Sequence, residues 1–239
     1  MQDPRLKRQR RGGRAGHRQR RWGSGVTPRT IWIRGKQRQL LIPRTRSDRA
    51  VCRAIHAELS PRIEPCLAET VYGFRPRRSR FGAAEHARSL PGKHRLAVDI
   101  VDFFNSIDHK RFVNFDVFPS GIWARMKPFV PPNGLAQGVN FSPVLSNLYL
   151  ADIDHDFPNV IRYADDLLIV SDEPFEVRRQ LAARLKTLGL QLHDDDVLDP
   201  KSWLSVDLQT LECVAAKRRR RIIIDRQDRK IRFFLRGRK

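Results

Sequence analysis

Residues 160–170 read Val160-Ile161-Arg162-Tyr163-Ala164-Asp165-Asp166-Leu167-Leu168-Ile169-Val170. An apolar strand, two adjacent carboxylates and a second apolar strand indicate a tight hairpin with charge at its tip. Two like charges at the end of buried strands repel each other and resist desolvation, and a bound cation relieves both costs. Aspartate is also common in surface turns, so this stretch alone leaves an ordinary hairpin turn open.

A second apolar strand in the chain also ends in a carboxylate. Leu96-Ala97-Val98-Asp99-Ile100 has this form, and Phe103-Phe104 follows it. Asp99, Asp165 and Asp166 would together form a cage of hard oxygen ligands that suits Mg²⁺. Two such ions about 3.5–4 Å apart can activate a hydroxyl group and stabilise a leaving phosphate. The pair of strands therefore favours phosphoryl transfer, which depends mainly on positioning and charge neutralisation.

The charge of the chain is concentrated at its two ends. The formal net charge is +21; residues 1–50 carry 16 Lys/Arg against 2 Asp/Glu, and residues 217–239 carry 12 against 2. Residues 51–216 carry 19 against 22 and are nearly neutral. Cationic ends attract polyanions, and nucleic acid fits better than a membrane because residues 5–21 lack an apolar helical face. We expect residues 1–29 to be a disordered basic arm that contacts nucleic acid.

Cysteine usage and hydropathy favour a cytoplasmic protein. The three cysteines, Cys52, Cys66 and Cys213, show no CxxC spacing, and an odd number argues against a disulfide framework. No apolar run approaches the roughly 20 residues that span a bilayer. The basic N-terminus is not followed by the apolar segment of a signal peptide. We therefore expect a reducing compartment and no membrane partner.

The periodicity of apolar residues predicts a mixture of helices and strands between the charged ends. A hairpin is expected from Thr30 to Ile42, and Ser47-Asp48 is expected to cap the helix that follows. Strand and turn are expected up to residue 214, and no element is assigned after residue 216. The remaining predictions are helices over 49–63, 80–90, 103–118, 142–156 and 175–188, and strands over 94–100, 160–163 and 167–170.

Five segments, in the same order as in the family, resemble the sequence boxes of bacterial reverse transcriptases of the group II intron-like or retron type. A single box could arise by chance, but the ordered set across residues 30–192 is specific. The matching segments are Arg38–Arg49 (first fingers segment), Tyr72–Ser79 (YGFRP.RS), Asp99–His109 (first catalytic box), Gly134–Gly138 with Ser142–Asn147 (PQG/SP box) and Tyr163–Asp166 (YADD).

The resemblance implies an α+β fold of the right-hand polymerase kind, with an antiparallel palm sheet, packed helices and partial fingers. It implies an RNA-directed DNA polymerase that adds dNTPs to a primer 3′-OH by two-metal-ion phosphoryl transfer. The expected partners are an RNA template, a DNA or RNA primer and dNTPs. The expected organisation is a basic arm at 1–29, a fingers-like segment at 30–92, a palm at 93–214 and a basic tail at 215–239 as a candidate thumb remnant.

The resemblance also implies roles for the carboxylates. Asp99 and Asp165 would hold both Mg²⁺ ions, Asp166 would be the weaker ligand and the carbonyl of Ile100 would assist. Mn²⁺ could substitute for Mg²⁺. The acidic run Asp194–Asp196 is interpreted instead as a solvated turn.

Five further residues would contact the incoming nucleotide. Arg38 and Arg75 would meet the triphosphate, and Gln137 and Gly138 would line the dNTP pocket. Phe104, five residues after Asp99, would be the gate under the sugar, because its ring leaves no room for a 2′-OH. Without the resemblance, Phe104 is an ordinary core residue and Arg75 caps a turn.

Three departures from the family pattern leave alternatives open. Ala136 replaces a proline, and His193 follows Leu192 where the family continues to a lysine. About 25 residues follow residue 214, too few for a three-helix thumb, so a protein or structured RNA partner is expected to supply that function. These departures favour a non-catalytic RNA-binding relic, whereas the three aspartates favour an active enzyme. An RNA-dependent RNA polymerase would share the palm, but Phe104 argues against it.

Overall fold

The computed structural model of the chain describes residues 24–33, 36–214, 220–225 and 230–235. Of the expected basic arm, residues 1–23 lie outside these ranges. Strand β1 begins at Val26, so the last part of the expected arm belongs to the first sheet. Within the described ranges, no helix has the length and apolar character required to cross a bilayer.

The first sheet contains the predicted hairpin. Strand β1 (Val26–Ile33) pairs antiparallel with β2 (Lys36–Pro43), from Val26 opposite Pro43 to Ile33 opposite Lys36. Two strands near the C-terminus extend this sheet in the order β2-β1-β10-β9. Strand β10 (Lys230–Leu235) runs parallel to β1, and β9 (Arg220–Asp225) pairs antiparallel with β10. Part of the basic tail therefore forms strands beside the hairpin.

Two helices follow, and side-chain caps fix where they begin. Helix α1 (Arg46–Ile63) begins after Thr45, whose Oγ1 accepts a hydrogen bond from the Asp48 amide at 3.0 Å, while the Asp48 carboxylate accepts one from the Thr45 amide at 3.0 Å. The expected cap at Ser47-Asp48 was therefore wrong: Thr45 is the cap and Asp48 completes its capping box. Helix α2 (Arg80–Ser89) begins after Ser79.

The second sheet is the antiparallel sheet expected for the palm. Its strands are β3 (His94–Asp99), β4 (Val160–Tyr163), β5 (Asp166–Ser171) and β6 (Val197–Leu198), in the order β4-β5-β3-β6. Side chains alternate between its faces. Leu96, Leu167 and Ile169 pack into the main core with helix α1 and with the later helices α5 (Ser142–Tyr149) and α7 (Pro174–Thr187). Ile161 and Leu168 pack on the other face, against α2 and the hairpin of β7 (Ser202–Trp203) and β8 (Val206–Asp207).

Two predicted helices are shorter than the periodicity suggested. The helix predicted over 103–118 was wrong beyond α3 (Phe103–Ser106), because His109–Asn114 forms a 3₁₀ turn. Fully buried Phe112 packs there against Phe115, Phe118, Trp123 and Tyr149, so tertiary packing overrides the local pattern. The helix predicted over 142–156 divides into α5 (Ser142–Tyr149) and α6 (Ala151–Asp156).

The last helices complete the α+β architecture. Helix α4 (Ile122–Met126) continues into a 3₁₀ turn at Lys127–Phe129. Helix α7 (Pro174–Thr187) is the helix predicted over 175–188, and Gly189 after it has a φ of +73°. The predicted fold class, an antiparallel sheet with packed helices, is confirmed.

Candidate active site

The palm sheet brings the ends of three strands to one edge. Asp99, the last residue of β3, lies opposite Asp166, the first residue of β5. Tyr163 at the end of β4 also pairs with Asp166, so Ala164 and Asp165 form the connecting turn. The amide of Ile100 donates a hydrogen bond to the Asp165 carbonyl at 3.1 Å, which ties the turn to the end of β3. The two acidic segments recognised in the sequence therefore meet in space.

The carboxylate of Asp99 lies in an environment that disfavours its charge. Its Oδ1 atom is buried and has no hydrogen-bond partner in the described part of the chain. Burial raises the pKa of Asp99 above its ordinary value, and the nearby charge of Asp165 raises it further. Asp165 is half-buried, whereas Asp166 is exposed. The strand ends thus combine a partly buried carboxylate with a second negative charge.

These features fit a bound cation. A hard divalent ion would supply the missing partner of the Asp99 Oδ1 atom and offset the repulsion from Asp165. Among the described residues, however, no three His, Cys, Asp or Glu side chains are arranged so that they could hold a metal. The three-carboxylate cage expected from the sequence stays a prediction.

The turn that carries Asp165 has a strained backbone and is supported from beneath. Ala164 has a φ of +63°, a left-handed conformation that costs energy for any residue with a side chain. Gly73 lies against it, and a Cβ atom at Gly73 would come within 2.4 Å of the Ala164 nitrogen. The neighbouring residue Tyr72 donates its amide to the Arg162 carbonyl at 2.8 Å. The Tyr72–Ser79 segment therefore packs directly against the hairpin that carries Asp165.

A fully buried arginine, Arg162, links this turn to helices α5 and α6. Its Nε and Nη2 atoms donate to the two carboxylate oxygens of Asp154 at 2.7 and 2.6 Å. Its Nη1 atom donates to Asn147 Oδ1 at 3.0 Å and to the Ala164 carbonyl at 3.2 Å. The Asn147 amide in turn donates to the Gly73 carbonyl at 2.8 Å. The Arg162 guanidinium thus binds the turn at the Ala164 carbonyl and, through Asn147, is linked to the Gly73 segment beside it. We call the side chains of Arg162, Asn147 and Asp154 the Arg162 network.

Phe104 lies in a cluster of three aromatic rings. Its ring meets those of Phe103 and Phe74 edge to face, with centroids 5.9 and 6.5 Å away. The Phe104 carbonyl accepts the Leu135 amide at 2.6 Å, and a Cβ atom at Gly134 would come within 2.5 Å of that carbonyl. Phe104 is half-buried, so part of its ring remains available to a ligand.

The loop with Gln137 and Gly138 packs on strand β2. The Gln137 carbonyl accepts the Leu41 amide at 2.7 Å, and a Cβ atom at Gly138 would lie 2.9 Å from the Leu41 carbonyl. Ala136, at the position where the family has proline, is 1% exposed and belongs to the main core. Core packing therefore holds this loop where the proline is missing.

The two arginines expected at the triphosphate differ in placement. Arg38 pairs with Ile31 in the hairpin, and its side chain lies outside the described part of the structure. Arg75 is buried; its Nε donates to Glu64 Oε1 at 3.0 Å and its Nη1 to the carbonyls of Ala68 and Val71 at 2.7 and 3.0 Å. The Arg75 guanidinium is therefore engaged by groups of the protein itself, and its expected contact with the triphosphate stays a prediction.

The acidic run Asp194–Asp196 lies close to the carboxylates through its neighbour, His193. The His193 amide donates to the Asp99 carbonyl at 2.9 Å, and its Nε2 atom lies 4.0 Å from Asp99 Oδ2. Within the run, Asp196 forms an ion pair with Arg178 of α7. Asp194 and Asp195 are solvent-exposed, in keeping with the solvated turn expected there.

Sequence reasoning assigned no supporting role to four residues around the turn: Arg162, Asn147, Asp154 and Gly73. Arg162 did carry a signal, because a cation inside an apolar strand requires a buried partner. The identity of that partner could not be read from the strand itself, since Asp154 lies on a different element. Phe74 was also missed: it is 49% exposed, has a φ of +61° and lies beside Phe104.

Comparisons with known proteins agree with this geometry. No curated protein matches the chain. Among solved structures, it is similar to a telomerase from Candida albicans in complex with a fragment of telomeric RNA (TM-score 0.56, 12% identity, 81% of this chain and 45% of that one). It is also similar to an apo telomerase from Candida tropicalis (TM-score 0.52, 8% identity, 80% and 47%). The chain spans less than half the length of these telomerases, and the likeness is one of fold.

The sequence itself matches the family described as "Reverse transcriptase (RNA-dependent DNA polymerase)" over residues 30–195. The matched region contains both strand ends with their aspartates, the Arg162 network and the loop with Gln137. It extends over more than half of the chain, and the chain therefore belongs to the reverse transcriptase family of RNA-directed DNA polymerases, which are nucleotidyltransferases.

Proposed function

We propose that this chain adds dNTPs to the 3′-OH of a primer paired with an RNA template. The observation that carries the proposal is the meeting of Asp99, Asp165 and Asp166 at one edge of the palm sheet in a member of the reverse transcriptase family. The partly buried Asp99 carboxylate, whose buried Oδ1 atom has no hydrogen-bond partner among the described residues, supports a role in cation binding rather than an ordinary surface turn.

Asp99 and Asp165 would hold Mg²⁺, with Asp166 and the carbonyl of Ile100 as further ligands; Mn²⁺ could take the same place. When bound, a pair of such ions supplies the charge that activates the primer hydroxyl and stabilises the leaving pyrophosphate. The chain itself contributes position: the Arg162 network and Gly73 fix the Ala164-Asp165 turn, and the Ile100 amide ties it to β3. Such preorganisation accounts for much of the rate in phosphoryl transfer.

Selection of the sugar would fall to Phe104. The edge-to-face contacts with Phe74 and Phe103 limit where its ring can move. A ring held in this way leaves no space for a 2′-OH and offers it no hydrogen-bond partner, which favours dNTPs over rNTPs. Exposed Phe74 lies beside this ring and would contribute apolar surface to the same pocket.

The rest of the nucleotide pocket would be formed by the 134–138 loop and the fingers hairpin. Gln137 and Gly138 would line it, and their contacts with Leu41 join this loop to β2, the strand that carries Arg38. Arg38 would contact the triphosphate. Arg75 would reach it only by releasing Glu64 and the two carbonyls that it now binds.

The five ordered sequence boxes support a place among the bacterial group II intron-like or retron-type enzymes. The proposed organisation is a nucleic-acid-binding arm (residues 1–29), fingers (30–92), palm (93–214) and a basic tail (215–239) as a thumb remnant. A protein or structured RNA partner would complete the clamp on the duplex. The free cysteines Cys52, Cys66 and Cys213 support a cytoplasmic location.

Primer extension tests this proposal. The full chain, supplied with poly(rA)/oligo(dT), Mg²⁺ and labelled dTTP, should extend the primer. Chelation of the metal should stop extension, and Mn²⁺ should restore it. Failure to extend with either metal would contradict the proposed activity.

Two observations favour the second candidate, a non-catalytic RNA-binding member of the family. The guanidinium of Arg75 binds Glu64 and the carbonyls of Ala68 and Val71 within the protein, and His193 stands beside Asp99 where the family continues to a lysine. This candidate predicts tight binding of the same hybrid without extension, so binding and extension measured on one preparation separate the two.

A further inference from the structure

A cavity of about 490 Å³ opens at the far end of the palm, away from the carboxylates. Three cationic side chains line it: Arg88 at the end of α2, Arg95 near the start of β3, and Lys201 before β7. Asp199 is the one carboxylate in its wall, and Gln209 adds an amide. We call it the basic pocket.

The cations of the basic pocket are poorly neutralised. Asp199 already accepts hydrogen bonds from His94 Nδ1 at 2.9 Å and from the Arg95 amide at 2.8 Å. Among the described residues, no carboxylate pairs with the side chain of Arg88 or Lys201. The Arg95 guanidinium is anchored to the Ala87 carbonyl at 3.3 Å, which fixes one cation at the wall. Unpaired cations in a concave surface concentrate positive potential and attract anions.

The basic pocket lies on the same face of the palm sheet as the catalytic carboxylates. Along β3, Leu96 and Val98 face the main core, so Arg95, Ala97 and Asp99 face the opposite side. Four residues of strand at about 3.3 Å each place Arg95 about 13 Å from Asp99. B-form DNA rises about 3.4 Å per base pair and an A-form hybrid rises less, so along a duplex that follows β3 this distance corresponds to at least about four base pairs.

We propose that the basic pocket binds the phosphodiester backbone of the template–primer duplex about four base pairs behind the primer end. This inference rests on the proposed function, because it takes the primer end to lie at Asp99. The ligand class follows from the lining: cations and an amide donate to phosphate oxygens, and Pro200 and Leu208 offer apolar surface to the sugars. The pocket would give the palm a fixed contact with the duplex away from the carboxylates.

The test is the salt dependence of hybrid binding. Arg88→Gln combined with Lys201→Gln removes two unpaired cations without touching Arg95, which has a structural contact. The slope of log affinity against log salt for an RNA–DNA hybrid should become shallower by about 0.9 for each cation removed. Lys186→Gln is the matched control for the single variant Lys201→Gln, because each removes one lysine charge. Lys186 lies on α7, which packs on the opposite face of the sheet. Lys186→Gln should leave the slope unchanged.

Two arms separate this inference from its alternatives. If pyrophosphate binding depends on Arg88 and Lys201 while the hybrid slope does not, the pocket takes small phosphates and the proposal is overturned. Primer extension by the wild-type chain, measured in parallel, tests the proposed function separately. If the wild-type chain extends the primer and the salt slopes of hybrid binding are equal for Lys201→Gln and Lys186→Gln, the proposal for the basic pocket is overturned and the proposed polymerase activity is not. A shallower slope in a chain that does not extend supports the pocket and contradicts the polymerase activity.

Discussion

Arg162 places a positive charge in the interior of the palm, directly beneath the turn that carries Asp165. Its partner Asp154 is also buried; burial raises the pKa of that carboxyl, and the two hydrogen bonds from Arg162 oppose the shift. Breaking a buried pair by removing one partner costs about 3–5 kcal/mol, because the other charge is left uncompensated. The remaining hydrogen bonds go to Asn147 and Ala164, which connect the pair to the turn.

We expect Arg162→Met to lower both stability and primer extension. Urea unfolding should show a loss of about 3–5 kcal/mol. The double variant Arg162→Met with Asp154→Leu removes both charges, so most of the stability should return. Its kcat for dTTP should remain at least tenfold low with KM little changed, because the Ala164 carbonyl still lacks its donor. Wild-type extension by the double variant would show that the network serves stability alone.

A second prediction for a single residue concerns the ring of Phe104 and the choice between rNTPs and dNTPs. Phe104→Val should raise the ratio of rNTP to dNTP incorporation by about 10-fold or more, within the range that a change of one pocket side chain allows. Incorporation of dNTPs should fall only moderately. Phe175→Val, which shortens an exposed ring on α7, is the matched control and should leave the ratio unchanged. An unchanged ratio in Phe104→Val would mean that Phe104 is an ordinary core residue and does not select the sugar.

The sequence was sufficient to bring Asp99 and the Asp165-Asp166 pair together, because apolar strands that end in charge are visible without coordinates. It was not sufficient to predict what Arg75 binds, since an arginine can bind a ligand or form a buried ion pair equally well. The position of Glu64 decides between the ligand contact and the ion pair. That position depends on how the end of α1 packs against the 68–75 segment. Partner choice across elements is the information that a single sequence lacks.

At the scale of elements, the segment around Gly73 acts as a support for the catalytic hairpin. Gly73→Ala should shift the Ala164-Asp165 turn, because the new Cβ would come within 2.4 Å of the Ala164 nitrogen. A displacement of about 1 Å at reacting groups can cost about 100-fold in rate, and we expect a loss of that order in kcat. Gly82→Ala in α2 is the control, since its Cβ would meet side-chain atoms alone, the Tyr72 ring at 3.2 Å and Ser79 Oγ at 3.6 Å, and no backbone atom closer than these. Equal activity in the two variants would contradict a supporting role.

The elements also show where pattern recognition succeeds. Strands β3, β4 and β5 were predicted closely, because strands buried on both faces form short apolar runs between turn residues. The helix over 103–118 was wrong because its aromatic residues satisfy helical spacing but pack around Phe112 instead. His109 contributes to the same outcome, since its ring contacts the Gly134 carbonyl at 2.5 Å and holds the 3₁₀ turn against the loop that follows.

The whole molecule is strongly asymmetric in charge, and that asymmetry predicts how it binds template. Residues 1–23 carry nine Lys/Arg and one Asp. Their deletion leaves β1 intact, should weaken RNA binding at low salt and should make the salt slope shallower by about 0.7–0.9 for each lost contact. The extension rate at saturating template should stay near the wild-type value. Filter binding over a salt series measures this, and an unchanged slope would mean that the arm binds another partner.

The central claim for the whole molecule is that Asp99, Asp165 and Asp166 act as one catalytic centre. The most direct test is primer extension by Asp165→Asn on poly(rA)/oligo(dT), with hybrid affinity measured on the same preparation. Asp116→Asn, in an exposed loop, is the control for loss of a carboxylate. We expect Asp165→Asn to lose extension. Its hybrid affinity should stay within about twofold of the wild-type value, because phosphate contacts lie elsewhere. Asp116→Asn should behave as the wild type. Extension at the wild-type rate by Asp165→Asn would contradict the central claim.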